Sequence, residues 1–385
     1  MSAAQQNLDG ALTRALARVI DPELRRPITE LGMVDSAVVR EGRAEVSVLL
    51  TVQGCPLRGT IEQDVRAAAL TLPEVDDVAV SVGYMSPEQR QQLRERLGHT
   101  RTNPFAQPDS LTQVYAVASG KGGVGKSTVT VNLAAALASQ GRSVGIVDAD
   151  VHGFSVPGLL GITQPPTKLE DMILPPVVEV PHRPREDPGA GSVRVISIGM
   201  FVEGNRPIAW RGPMLHRALE QFLTDVHFGD LDVLLLDLPP GTGDIAISMA
   251  QLLPTAQLLL VSTPQQAAVE VAERAGTLSL QTGQEVIGVV ENMAAMLLPD
   301  GTRMELFGAG GGQQLAGRLS EDLGYDVPML GSVPLDVALR EGGDAGTPVV
   351  WSAPDSPAGS ALRRIAESLG SRGRDLPGRS LPLNL

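Results

Sequence analysis

Cysteine is all but missing from this chain: its 385 residues contain one, Cys55. A single thiol excludes any intrachain disulfide and any Cys-x-x-Cys metal site, and makes the cytoplasm the expected compartment. The five histidines (His99, His152, His182, His216, His227) form no ligand-spaced pair. No basic-plus-apolar leader opens the sequence, because Met1–Gly10 is polar and the first basic residue is Arg14. Long hydrophobic runs are lacking as well. The longest charge-free stretch, Ile245 to Val269, is broken by Pro254 and interspersed with Gln and Thr, so it reads as helix, turn and strand rather than a membrane span. Positive charge is in deficit: the formal net charge of −13 argues against a general binder of nucleic acid or anionic membrane. What is abundant is ordinary globular material, 43% apolar and 19% charged, enough for two or three domains.

Residues 1–90 read as a small α+β unit. Leu8, Leu12, Leu16 and Val19 recur at helical spacing, and Asp21-Pro22-Glu23 ends that helix. Val34–Arg40 and Ala44–Val52 flank Glu41-Gly42, the signal of a hairpin. Gly54-Cys55-Pro56 breaks the second strand, Leu57–Leu70 reads as a helix, and Val75–Val82 supplies a third strand. A polar segment, Ser86 to Ser110, starts as a charged helix and ends in Asn103-Pro104 and Gln107-Pro108, so residues 91–111 read as a linker. From 112 to 370 strands and helices alternate, with Val144–Val147, Val193–Ile198, Val233–Leu236, Leu258–Val261, Val286–Val290 and Met329–Val333 as strands. That alternation predicts a mostly parallel α/β sheet flanked by helices. Pro175–Gly191, with five prolines, reads as an exposed excursion, and residues 371–385 as a flexible tail.

The chemistry begins at Gly120-Lys121-Gly122-Gly123-Val124-Gly125-Lys126-Ser127, which satisfies G-x-x-x-x-G-K-[ST]. The apolar run Val114–Ala118 precedes it and a helix from Thr128 to Gln140 follows, the context that separates a phosphate loop from a plain glycine turn. Glycines let backbone N–H groups turn inward as an anion nest, and the helix N-terminus adds its dipole. Lys126 is placed to reach the β- and γ-phosphates of ATP, and the Ser127 hydroxyl to sit on Mg²⁺. Lys121 is an extra charge where such loops require none. Asp148 and Asp150 stand at the carboxyl end of the next strand, where ligands bind in open α/β sheets. Asp148 is a candidate for a Mg²⁺ water and Asp150 for the attacking water; a solvated acidic strand end is the alternative. Leu231 to Asp237 is a second apolar strand ending in an acid, with Asp237 the better Mg²⁺ candidate. The following Leu238-Pro239-Pro240-Gly241-Thr242-Gly243-Asp244 makes a loop able to respond to a γ-phosphate.

With its second lysine, Gly120–Ser127 resembles the loop of the deviant class that includes the MinD and ParA ATPases. Within that class, Asp237 to Asp244, Trp210-Arg211-Gly212-Pro213-Met214, Thr263-Pro264-Gln265 and Glu291-Asn292-Met293 resemble the Mrp/ApbC family, ATPases implicated in carrying iron–sulfur clusters. The resemblance runs from about Thr112 to about Ile365. The N-terminal unit resembles the metal–sulfur-cluster assembly domain often fused there, through Asp21-Pro22-Glu23 and Thr51 with Cys55-Pro56. By resemblance, Lys121 reaches the partner's nucleotide across a homodimer interface and, with Lys126 and Asp150, supports hydrolysis. The same resemblance implies that Gly120–Thr128 cradles the nucleotide, that Asn292 reads the adenine edge, and that Pro334 and Asp336 close over the base.

One departure is serious. Where the family carries Cys-Pro-x-Cys, this chain has Ala294-Ala295-Met296-Leu297-Leu298-Pro299-Asp300-Gly301. Cys55 is then the only thiolate for iron–sulfur cargo; an inert buried cysteine is the alternative. A cluster on one thiolate per subunit must be labile. The implied function is ATP-dependent delivery of clusters to apoprotein clients or exchange with cluster-assembly proteins. The rivals are a cluster-free nucleotide-gated adaptor and a positioning ATPase; the charge and the proline-broken C-terminus argue against partners in nucleic acid or membrane.

Overall fold

The computed structural model describes residues 3–52, 57–98, 101–107, 109–150, 153–182, 190–201, 212–241, 244–298 and 300–371. They form two compact units. The first comprises Met1–Thr102, Gln164–Ala190 and Gln221–Gly229; the second comprises Asn103–Thr163, Gly191–Glu220 and Asp230–Leu385.

In the first unit, helix α1 (Ala3–Leu16) precedes β1 (Val34–Arg40) and β2 (Arg43–Leu50), which pair antiparallel. Glu41 and Gly42 join them with φ of 48° and 80°, the left-handed pair a two-residue hairpin needs. Helix α2 (Arg58–Ala69) crosses over to β3 (Asp77–Tyr84), parallel to β2. Leu12 and Leu16 of α1, the alternating Ala44, Val46, Val48 and Leu50 of β2, and Ile61 and Val65 of α2 are all at most 2% exposed, so the predicted periodicities face one core. Helix α3 (Pro87–Leu97) starts with a capping box at Ser86 and Gln89 and buries Leu93.

The same core contains Leu169, Met172 and Leu174, from a hairpin of Thr167–Leu169 and Met172–Leu174. The expectation of an exposed excursion at Pro175–Gly191 fails for its described beginning: Pro175 and Pro176 are buried and Val180 is 8% exposed. Prolines mark the irregular path there, while the intervening Val177, Val178 and Val180 supply apolar surface. Residues 183–189 and the predicted tail from 372 lie outside the described residues.

Among the described residues, the second unit contributes seven strands to one parallel sheet: β4 (Gln113–Ala118), β5 (Ser143–Asp148), β6 (Ser192–Ser197), β7 (Val233–Asp237), β8 (Gln257–Ser262), β9 (Val286–Ala294) and β10 (Met329–Pro334). They lie in the order β10-β9-β8-β4-β7-β5-β6, and every pairing among them is parallel. The central strands read as unbroken apolar runs because helices cover both faces. Helix α4 (Lys126–Ser139) is apolar all round and buried from Val129 to Ala138, as expected of a helix enclosed by other elements. Trp351 anchors it, donating from Nε1 to Ala135 O at 3.1 Å and Ser139 Oγ at 2.9 Å. Among the described residues no helix is long and apolar enough to cross a membrane.

Candidate functional site

The loop from Ser119 to Gly125 turns β4 into α4, and its left-handed glycines, Gly123 at φ 78° and Gly125 at φ 80°, make that turn possible. A Cβ on Gly125 would also overlap Asn292 Nδ2, and one on Gly120 would overlap the backbone of Val271 and Ala272 in helix α5 (Gln266–Thr277). Beneath the loop lies a cavity of about 380 Å³ lined by Lys121 through Thr128, Asp150 and Pro240.

Lys126 is 5% exposed. Its Nζ lies 2.8 Å from Asp237 Oδ1 and 3.9 Å from Asp150 Oδ2, yet finds no hydrogen-bond partner of good geometry among the described residues. A buried cation with unsatisfied N–H groups facing a cavity suits an anionic ligand. Asp237 ends β7 fully buried and accepts from Ser127 Oγ at 2.5 Å and Thr130 Oγ1 at 2.9 Å. The parallel register sets Asp148 directly beside Asp237, with Ser197 on the next strand. Ser197 Oγ donates to Asp148 Oδ2 at 2.9 Å and the Asp150 N–H to Asp148 Oδ1 at 3.2 Å. Burial first, and then the neighbouring Asp237 charge, push the Asp148 carboxyl up to about 7 against the lowering effect of those hydrogen bonds and of Lys126.

No three His, Cys, Asp or Glu side chains converge as a metal cage among the described residues. Ser127 Oγ with one or two carboxylates is a hard-oxygen set that suits Mg²⁺, which takes its remaining ligands from phosphate and water.

Lys121 Nζ donates to Gln265 Oε1 at 2.9 Å, at the N-terminus of α5. Asn292 is 4% exposed and its Nδ2 donates to Val124 O at 2.8 Å, so the amide braces the phosphate loop while its Oδ1 is not used in that bond. Pro334 ends β10 and lines a separate cavity of about 420 Å³. Asp336 caps a helix at Val337–Asp344: Oδ1 accepts from Ala338 N at 2.9 Å and Oδ2 from Ala358 N at 3.0 Å. The structure therefore gathers Lys126, Ser127, Asp148, Asp150 and Asp237 at one point, while Asn292, Pro334 and Asp336 do not line the phosphate cavity. Cys55, Trp210, Arg211, Thr242 and Gly243 lie outside the described residues. In place of the missing Cys-Pro-x-Cys, β9 runs to Ala294 and a two-stranded ribbon of Met296–Leu297 and Arg303–Met304 follows.

Three partners in this network were not foreseen. Thr130 was accessible, since it lies three residues after Ser127 and so on the same helix face. Ser197 was not, and Gln265 entered only through the Thr263-Pro264-Gln265 resemblance without its bond to Lys121, because pairing across strands and loops leaves no local signal.

Residues 110–370 match the family described as NUBPL iron-transfer P-loop NTPase, and residues 10–82 match iron-sulfur cluster assembly protein. A relative from Mycobacterium tuberculosis (strain H37Rv), named iron-sulfur cluster carrier protein, is 58% identical over 382 residues, 98% of this chain and 97% of its own length. Another of that name, from Deinococcus radiodurans, is 41% identical over 367 residues, 95% of each chain. A solved nucleotide-binding protein from Archaeoglobus fulgidus, in complex with ADP, is 34% identical with a TM-score of 0.51, over 64% of this chain and 91% of its own.

Proposed function

The chain belongs to the NUBPL iron-transfer P-loop NTPase family, and from that membership we propose that it is an ATP-hydrolysing carrier of iron–sulfur clusters. The observation that carries the nucleotide half is Lys126, a buried cation with unsatisfied donors at the floor of the phosphate-loop cavity.

In this reading Gly120–Thr128 holds the phosphates, and Asn292, Pro334 and Asp336 form the base end. Asp336 acts through the helix ends it joins. Mg²⁺, held by Ser127 and Asp237 with Asp148 behind them, would neutralise charge between the phosphates. Asp150 orients the attacking water; the bond from the γ-phosphorus to the bridging oxygen breaks, and ADP and phosphate leave. Lys126 stabilises charge on the transferred oxygens from within the subunit. Lys121, once released from Gln265, supplies a second cation across a homodimer interface. Turnover is slow because the second cation arrives only on association.

The cargo is an iron–sulfur cluster held loosely through Cys55, with the remaining ligands from a client apoprotein, an assembly protein or a small thiol. We place this activity in the cytoplasm, without nucleic-acid or membrane partners, on the negative charge and the single thiol. The absence of cysteine from 294–301 favours one second reading, a nucleotide-gated adaptor without a cluster.

Hydrolysis measured against protein concentration tests the enzyme. The rate per subunit should rise with concentration, and Lys121→Ala or Asp150→Ala should bind ATP normally and lose most turnover. A rate per subunit that is independent of concentration and survives Lys121→Ala overturns the trans-lysine step. Total failure to bind iron on anaerobic reconstitution with iron and sulfide would favour the adaptor.

A further inference from the structure

Two stretches of chain between the strands of the nucleotide unit fold as part of the N-terminal one. Gln164–Ala190 follows β5, which ends in Asp148, and Gln221–Gly229 precedes β7, which ends in Asp237. Within the first unit these stretches are zipped together. Ile173 N donates to Asp225 O and His227 N to Ile173 O, both at 2.8 Å, forming a parallel bridge between Ile173 and Val226.

Their anchorage is deep. Leu169, Met172 and Leu174 are at most 1% exposed in the core built by Leu12, Leu16, Ile28 and Ile61. Arg90 pairs with Glu170 at 2.9 Å and Arg94 with Asp171 at 2.8 Å, tying the hairpin to α3. Arg25 pairs with Glu179 at 2.8 Å, and Thr167 Oγ1 donates to Glu23 Oε1. The Thr167 bond falls on the loop Asp21-Pro22-Glu23 and the Glu179 bond on Arg25 just after it; in that loop Asp21 is 4% exposed and accepts from the N–H groups of Glu23 and Leu24. Both carboxylate-bearing strands at the phosphate cavity are thus covalently continuous with one rooted piece that grips the Asp21–Glu23 loop.

A ligand shifts such an assembly only if its contacts differ between two states. Here they must differ. Asp237 is ion-paired with Lys126 while it accepts hydrogen bonds from Ser127 and Thr130, and phosphate competing for Lys126 and Ser127 obliges Asp237 to remake those contacts. We propose that Gln164–Ala190 and Gln221–Gly229 form a coupling arm that transmits occupancy of the phosphate loop to the Asp21–Glu23 loop through the Thr167–Glu23 bond. The proposal rests on the nucleotide reading given above. It adds a regulatory link that neither the phosphate loop nor the cargo thiol supplies alone, and it makes cargo handling in the N-terminal unit depend on nucleotide state.

The chain's single thiol makes the test unambiguous, since iodoacetamide can label only Cys55. On the full-length protein, the alkylation rate is measured with and without a non-hydrolysable ATP analogue, whose binding is followed separately by calorimetry. Nucleotide should change the rate by about fivefold or more, the lower end of ordinary coupling between sites. Thr167→Val, which keeps the shape and removes the donor, should bring that ratio close to one with nucleotide affinity and hydrolysis unchanged, and Thr167→Ser should restore it. Analogue binding with no change in the wild-type rate overturns the coupling and leaves the nucleotide reading intact. Thr167→Val that keeps the full nucleotide response overturns the Thr167–Glu23 route. No analogue binding at all would overturn the nucleotide reading, and the coupling with it.

Discussion

Replacing Lys126 by methionine removes a charge from a place where water cannot substitute for it. Lys126 and Asp237 are 5% and 0% exposed and 2.8 Å apart. At an effective dielectric of about 20, their attraction is roughly 6 kcal/mol. Asp237 would retain its hydrogen bonds from Ser127 and Thr130, which soften the loss. Breaking one side of a buried pair costs about 3–5 kcal/mol, a large part of the roughly 5–15 kcal/mol that holds a domain together. Urea denaturation of the nucleotide-free protein measures it. Trp351 fluorescence, read in a Trp210→Phe background, reports on α4 through its bonds to Ala135 and Ser139. Lys126→Met should lose about 3–5 kcal/mol, and Lys126→Met/Asp237→Asn should recover most of it, because the second change removes the stranded charge. Nucleotide affinity separates the two roles of the lysine. Calorimetry should show about 2–4 kcal/mol of binding lost in the single and the double variant alike. Wild-type stability in Lys126→Met would refute the buried pair, and wild-type affinity would refute the phosphate contact.

Burial holds the Glu23 carboxyl at about 7 rather than its ordinary 4.5, against the lowering effect of the Thr167 hydrogen bond. With the folded value above the unfolded one, its contribution to stability is full below about 4.5 and lost as pH rises through about 7. Glu23→Gln should flatten that slope in denaturation from pH 5 to 8 and gain on the order of 3 kcal/mol at the alkaline end. Asn292→Ala removes the amide bonded to Val124 O, so calorimetry should show ATP affinity falling about tenfold and the preference for ATP over GTP weakening. Cys55→Ala should abolish the visible absorption of anaerobically reconstituted protein while ATP hydrolysis stays near wild type; a stoichiometric cluster that persists would show that other ligands hold it.

Much of the fold was legible because local pattern and burial coincide. Ala44, Val46, Val48 and Leu50 alternate in the sequence and all face the core, and the unbroken Val233–Leu236 run is a central strand buried on both faces. The phosphate loop was legible for a chemical reason: its glycines, Lys126 and Ser127 must be contiguous for backbone amides, cation and hydroxyl to face one anion. The acids ending β5 and β7 were legible by position, since ligands collect at the carboxyl ends of parallel strands.

Partnership across the chain was not. Periodicity located β4, β5 and β7 but carries no strand order, and only the fold sets Asp237 beside Asp148 and Asp148 beside Ser197. Family resemblance put Asn292 at the adenine edge, whereas packing sets its amide against Val124. Proline content suggested that Pro175–Gly191 would stand out in solvent, whereas Pro175, Pro176 and Val180 are buried, directly after Leu169, Met172 and Leu174 in the core of the N-terminal unit. By itself the sequence determined which elements form and where the phosphate-loop motif lies, because both are set by neighbours along the chain. Which carboxylate faces which hydroxyl, and which unit an excursion joins, were decided by tertiary structure, because burial of apolar surface selects among many distant partners and leaves no mark at short range.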